Sequence, residues 1–197
     1  METTVKKKSA PRKPVTRPTK KRMSLPRFIE WADQQEDGYK YEWKQGVVER
    51  YEAMTRRKGW SVVQSINRAF VLTESYRRGG SLITTPAIQL DEQTLRCPDL
   101  AFLTKEQIRE SDLDSNPIAA FVIELISPTD QVYAMKKKLQ EYFTAGVQVV
   151  WYIYPSLRQV EVYHSPKQVA IGTDDDVCSA APAVDDLSIT PRQLFAQ

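Results

Sequence analysis

Two apolar runs, Ala119 to Ile126 and Val147 to Tyr154, stand either side of a helical stretch, and that order leaves the chain few folds. A near-continuous apolar run marks a strand covered on both faces, usually in the middle of a sheet. Between the runs, Pro128 and Asp130 lead into a helix expected from Gln131 to Ala145. Met135, Leu139, Tyr142 and Phe143 form its apolar stripe, and Gly146 stops it. Strand, helix, strand in this order predicts a parallel pair joined by a right-handed crossover.

The segments before this unit carry their own signals. Ser24 is placed to N-cap a helix with Pro26 in its first turn and Leu25, Phe28, Ile29 and Ala32 along one stripe. Tyr39, Tyr41 and Trp43 then alternate with Lys40, Glu42 and Lys44, Gln45-Gly46 turns the chain, and Val47 to Tyr51 returns as a hairpin partner. A helix is expected from Trp60 to Arg78, with Val62, Val63, Ile66, Ala69 and Phe70 on one face and Gly79-Gly80 at its end. Strands follow at Ser81 to Leu90 and Leu95 to Leu103, joined through Asp91-Glu92. After the second apolar run come a hairpin strand, Gln159 to Tyr163, a loop from Thr173 to Val184, and a short helix opened by Thr190-Pro191. The fold class is α/β, in the sense of an α+β mixed sheet: helix, three strands, helix, strand, preceded by an N-terminal helix and hairpin.

Charge divides the chain unevenly. Residues 1 to 27 hold ten Lys or Arg against one acid, Glu2, which leaves 18 basic and 24 acidic residues for the rest and a net of −6 there. Residues 1–23 are expected to be a disordered basic tail, too polar to bury anything, and 24–197 one domain. The tail reads either as an arm that attracts nucleic-acid phosphates or as a solvated leader upstream of a start at Met23. No run approaches the ~18 apolar residues of a membrane span, and no apolar stretch follows the N-terminal charges as in a secretory signal. A cytoplasmic protein is expected, with Cys97 and Cys178 as ordinary thiols, since they lie far apart and match no metal or redox spacing.

Elimination narrows the chemistry. His164 is the one histidine, which argues against a histidine-built zinc site or a Ser-His-Asp arrangement, and none of the seven glycines has phosphate-loop spacing. What remains is carboxylates and lysines, and oxygen ligands favour Mg²⁺ or Mn²⁺. Asp99, after Pro98, and Glu124, inside Phe121 to Ile126, are acids where acids are costly. Each needs a cation: a divalent ion shared by both, or a basic side chain such as Arg96. Lys138 lies at the edge of the helix stripe beside Met135 and Tyr142, whereas Lys137 points outward. Lys138 either turns toward Glu124 or is one of three solvated lysines, 136 to 138.

Pro98-Asp99, and Glu124 with Ile126 where a lysine would usually follow, resemble the PD-(D/E)XK nuclease superfamily. More narrowly the chain resembles its Uma-type restriction endonuclease family, from about Arg27 to Phe195. The similarity runs through Tyr41-Glu42 with Gly46-Val47, Pro98 to Phe102 and Val122 to Pro128. It continues in Lys138 with Tyr142, Gly146-Val147 with Trp151 and Pro155, and Leu187-Ser188-Ile189 before Leu194-Phe195. The resemblance implies a catalytic set of Glu42, Asp99, Glu124 and Lys138. In it Asp99 and Glu124 hold Mg²⁺ or Mn²⁺, Glu42 adds a further carboxylate with Glu49 and Glu74 as rivals, and Lys138 replaces the lysine absent at Ile126. Glu42 faces opposite Tyr41 and Trp43 in the strand alternation. The family's pattern is departed from at Gln45, at Lys58-Gly59-Trp60 where a histidine is common, at Ala134, and at Val149 and Tyr154, all in the polar surround.

Three functions follow from different classes. The first is a metal-dependent DNA endonuclease, for which a homodimer is one way to cut both strands. The second is a catalytically silent relative that binds nucleic acid or protein, and the third an interaction protein that works through its tail.

Overall fold

In the computed structural model, which describes residues 22–52, 59–111 and 116–196, the chain opens with α1 (Leu25–Ala32), β1 (Tyr39–Lys44), β2 (Val47–Glu52), α2 (Trp60–Phe70) and α3 (Glu74–Arg77). Next come β3 (Ser81–Thr84), β4 (Ile88–Asp91), β5 (Thr94–Arg96), β6 (Leu100–Leu103), α4 (Lys105–Ser111) and β7 (Phe121–Leu125). The chain ends with α5 (Val132–Ala145), β8 (Val149–Tyr154), β9 (Gln159–Ser165), β10 (Gln168–Gly172), β11 (Cys178–Ser179), β12 (Ser188–Ile189) and α6 (Pro191–Leu194).

The two apolar runs pair in parallel, Phe121 opposite Val149 and Glu124 opposite Tyr152, at the centre of a six-stranded sheet ordered β10-β9-β8-β7-β6-β3. Side chains alternate across a strand, so this pair feeds two cores. Phe121, Ile123, Trp151 and Ile153 join α2 and α6 on one face, through Val62, Ile66, Phe70 and Leu194. Val122, Val150 and Tyr152 join Leu139 and Tyr142 of α5 on the other. Glu124 shares the parity of Val122 and therefore lies on the α5 side, which decides its partners. Gly146 closes α5 in the left-handed region, at φ 106, where glycine carries no Cβ penalty.

A second sheet, ordered β2-β1-β5-β4, rests on a smaller core of Phe28, Trp43, Leu95 and Cys97 beneath α1. Its hairpin turns through Gln45 and Gly46, both at positive φ, the turn whose twist matches the flanking strands.

Here the structure departs from the sequence reading. The segments 81–90 and 95–103 are not single strands. Each breaks and changes sheet, the first after Thr85 at Pro86, the second at Cys97-Pro98-Asp99. Proline cannot donate to a ladder, which ends pairing at both places. The two breaks are tied together, since Thr85 N–H donates to the Asp99 carbonyl at 3.0 Å. The helix expected over 60–78 is two, because Thr73 takes an extended conformation and accepts from Tyr76 N–H as the N-cap of α3. Ser24 holds the N-cap position of α1 without a side-chain bond, whereas Thr190 and Gln193 form a full capping box on α6. The expected loop from Thr173 to Val184 contains β11, which pairs with β12 beyond it. The tail lies outside the described residues up to position 21. Arg22 bridges to Val47, and Met23 is buried, its carbonyl accepting from the Trp43 indole at 2.8 Å.

Candidate active site between the two sheets

Each buried acid is set by a different element. Glu42 is on β1, whose inward side also carries Lys40. Asp99 is at the sheet-changing break before β6. Glu124 is on β7, beneath the face of α5 that presents Lys138, Glu141 and Tyr142, spaced i, i+3 and i+4. All three acids are almost wholly removed from water, Glu42 completely.

Asp99 and Glu124 converge on one cation, and that cation is a lysine. Lys40 Nζ lies 2.8 Å from Asp99 Oδ1 and 3.3 Å from Glu124 Oε2. The remaining oxygens are also engaged. Asp99 Oδ2 accepts from Leu125 N–H at 2.8 Å, and Glu124 Oε1 accepts from Tyr142 Oη and Lys138 Nζ, both at 2.6 Å. Lys138 Nζ simultaneously reaches Glu42 Oε1 at 2.6 Å, which also accepts from Cys97 N–H at 3.1 Å. Arg96 closes the set, at 2.7 Å from Glu42 Oε2, 3.0 Å from Glu49 and 2.7 Å from Glu141, and Lys44 pairs with Glu141.

The network is nearly neutral. Three cations (Lys40, Lys138, Arg96) face three carboxylates (Asp99, Glu124, Glu42), and the outer Glu49 and Glu141 meet Arg96 and Lys44. Burial opposes charge on Glu124, yet Lys138 and Lys40 outweigh it and hold the carboxyl at about 2. Burial raises the Asp99 carboxyl against the pull of Lys40, with the like charge of Glu124 adding to the rise. Burial also works against charge on both lysines, but Glu124 leads the attractions that keep each above its ordinary value. Burial pushes the Cys97 thiol up to about 12, so it stays a thiol beside these acids.

The four residues singled out in the sequence therefore meet. Lys138 turns inward, not into solvent. Of the rivals to Glu42, Glu49 reaches the cluster through Arg96 and also accepts from the Tyr51 hydroxyl, and Glu74 pairs with Arg77 and Arg78 at α3. Arg96 pairs with Glu42, Glu49 and Glu141 instead of Asp99 or Glu124. Glu42, expected as a third metal carboxylate, has both oxygens taken by Arg96, Lys138 and the Cys97 amide. Among the described residues no three His, Cys, Asp or Glu side chains form a ligand group. Sequence reasoning missed Lys40 and the Tyr142 hydroxyl. The strand period carried part of the signal for Lys40: two residues before Glu42 on one strand, it has to share that residue's face.

A divalent ion fits this donor set at one place, where Asp99 Oδ1 and Glu124 Oε2 already hold an ammonium in common. Lys40 Nζ fills that place, and a metal would have to displace it.

No curated protein matches the chain. Its structure is similar to that of a "putative nuclease belonging to DUF820" from Anabaena variabilis ATCC 29413, with a TM-score of 0.72 at 15% identity, over 88% of this chain and 98% of that one. The model of the Uma2 family, described as putative restriction endonuclease, matches residues 25–192, and the chain belongs to that family.

Proposed function

We propose that the protein is a divalent-metal-dependent endonuclease that hydrolyses phosphodiester bonds in DNA, using Mg²⁺ or Mn²⁺ at Asp99 and Glu124. The observation that carries this reading is the convergence of two buried carboxylates, one on β7 and one at the break before β6, on a single cation. A divalent ion held there would neutralise charge on the scissile phosphate and acidify water for attack. The protein's own groups do the rest. Lys138, its proton held by Glu124 and Glu42, cannot serve as a base near neutral pH. It donates instead, stabilising the extra negative charge that develops on the phosphate oxygens. Glu42, anchored by Arg96 and the Cys97 amide, positions that lysine. Tyr142 orients Glu124 from α5. Once Lys40 leaves the carboxylates, it is free to meet the phosphate.

A silent, binding-only member is the second reading, and one observation favours it: every carboxylate oxygen of the inner network already has a partner. One experiment separates the two. Supercoiled plasmid is incubated with Mg²⁺ or Mn²⁺ and wild type, Asp99→Asn or Lys138→Ala, while melting temperature is followed with and without Mn²⁺, Lys40→Met included. The nuclease reading predicts nicking by wild type that both former variants lose. It also predicts that Mn²⁺ stabilises Lys40→Met more than wild type and fails to stabilise Asp99→Asn. Absence of nicking with no Mn²⁺ response in Lys40→Met rejects it.

A further inference from the structure

A cleft of about 550 Å³ opens beside the acidic pair, and Asp99 is one of its lining residues. Its long wall is α2, which turns Trp60, Gln64, Asn67 and Arg68 toward it, with Thr85 at the break after β3 opposite. Two of these side chains are anomalous for a surface with no ligand. Trp60 leaves 58% of its area in solvent on the first turn of α2. Arg68 makes no ion pair among the described residues, although the body of the chain carries 24 acids against 18 bases beyond residue 27. An indole and an unpaired guanidinium eight positions apart on a helix lie about 12 Å apart along its axis. One can stack a base and the other can hold a phosphate.

Charge decides which nucleic acid fits. A duplex presents one phosphate per ~1.7 Å of axis and is met by a basic stripe or face, which a body with a net charge of −6 is poorly made to supply. An unpaired strand needs less: an aromatic platform, since every base has a face to stack, and a cation along the backbone. The cleft is lined mainly by apolar atoms, a surface suited to the faces of splayed bases.

We propose that this cleft binds unpaired DNA, with a base against Trp60 and a phosphate at Arg68, and delivers the strand to Asp99. The substrate is then single-stranded DNA or the frayed, flapped or looped part of a duplex. The proposal deepens the nuclease reading and rests on it for the chemistry at Asp99, though not for binding.

The test uses the full chain in EDTA, so that no turnover occurs. Fluorescence anisotropy is measured with a fluorescein-labelled mixed-sequence single strand and with the same sequence closed as a blunt hairpin. The single strand is expected to bind about tenfold more tightly than the hairpin. Trp60→Ala and Arg68→Ala should each weaken it by about tenfold, and Trp60→Phe should retain most of the affinity. Where an alanine variant does not fold, Trp60→Phe against Trp60→Gln and Arg68→Lys against Arg68→Gln carry the same comparison. Equal binding of the two DNAs, or single-strand affinity indifferent to both positions, overturns the cleft. Failure of the nuclease reading looks different: single-strand binding persists and depends on Trp60, while no DNA is cut with metal.

Discussion

The ion pairs of this protein fall into two groups that obey different arithmetic. Between the sheets, Arg96, Glu42, Glu124, Lys40 and Asp99 are buried and Lys138 is 12% exposed, and each meets more than one partner, the second of Asp99 being the Leu125 amide. On the surface, Arg192 pairs with Asp175 at 2.7 Å, and Arg77 with Glu74 at 2.8 Å, all four side chains more than half exposed. The distances are alike and the consequences are not. Water would solvate an exposed partner left behind, whereas a buried one has only the protein. Distance alone therefore says little about which pair the fold depends on, and the inner set behaves as one unit whose members are not separable.

Breaking the comparison at its strongest point means removing Arg96. Arg96→Met should cost ~3–5 kcal/mol in denaturant unfolding, because Glu42 loses a partner with no solvent to replace it. A cost under ~1 kcal/mol would put the inner network on the same footing as the surface. The next effect is a pH dependence. Glu124 is held below its ordinary 4.5, at about 2, so its contribution is present above 4.5 and lost as pH falls through that window. Asp99, raised above its ordinary 3.8, works the other way, since its folded form takes up a proton more readily. The acid limb of stability should therefore flatten in Glu124→Gln and steepen in Asp99→Asn, as read from urea midpoints between pH 5 and 2. The smallest effect sharpens the contrast from outside: Arg192→Ala should leave the urea midpoint unchanged within error, and a clear drop there would mean that exposure does not separate the groups.

Much of this was legible in the sequence, and the misses share a physical cause. Glu124 stood out because a carboxylate inside an apolar run demands a partner, and Lys138 because the helix period puts it at the edge of a buried stripe. Alternation fixed that Lys40, Glu42 and Lys44 share one side of β1. It cannot say that this side is the buried one when the hairpin is inserted between layers and its charges are neutralised across the gap. The lysine was passed over for that reason. The two sheet changes escaped because Thr85-Pro86 and Cys97-Pro98 interrupt segments whose hydrophobic pattern continues on both sides. Pattern reports burial, not which sheet receives the strand. β10 was missed since four of its five residues are exposed and carry no periodic signal.

The bond from Leu125 N–H to Asp99 Oδ2 has a consequence for how variants at this position are read. The β6-β7 ladder pairs Leu100 with Ile123 and runs no further along β7, so the aspartate supplies, from a side chain, the acceptor that a neighbouring strand would otherwise provide. The aspartate therefore does two separable things, one for any chemistry and one for completing a sheet. A variant meant to report on chemistry alone has to keep that acceptor, as Asn can and Ala cannot, or it also unpairs the Leu125 amide.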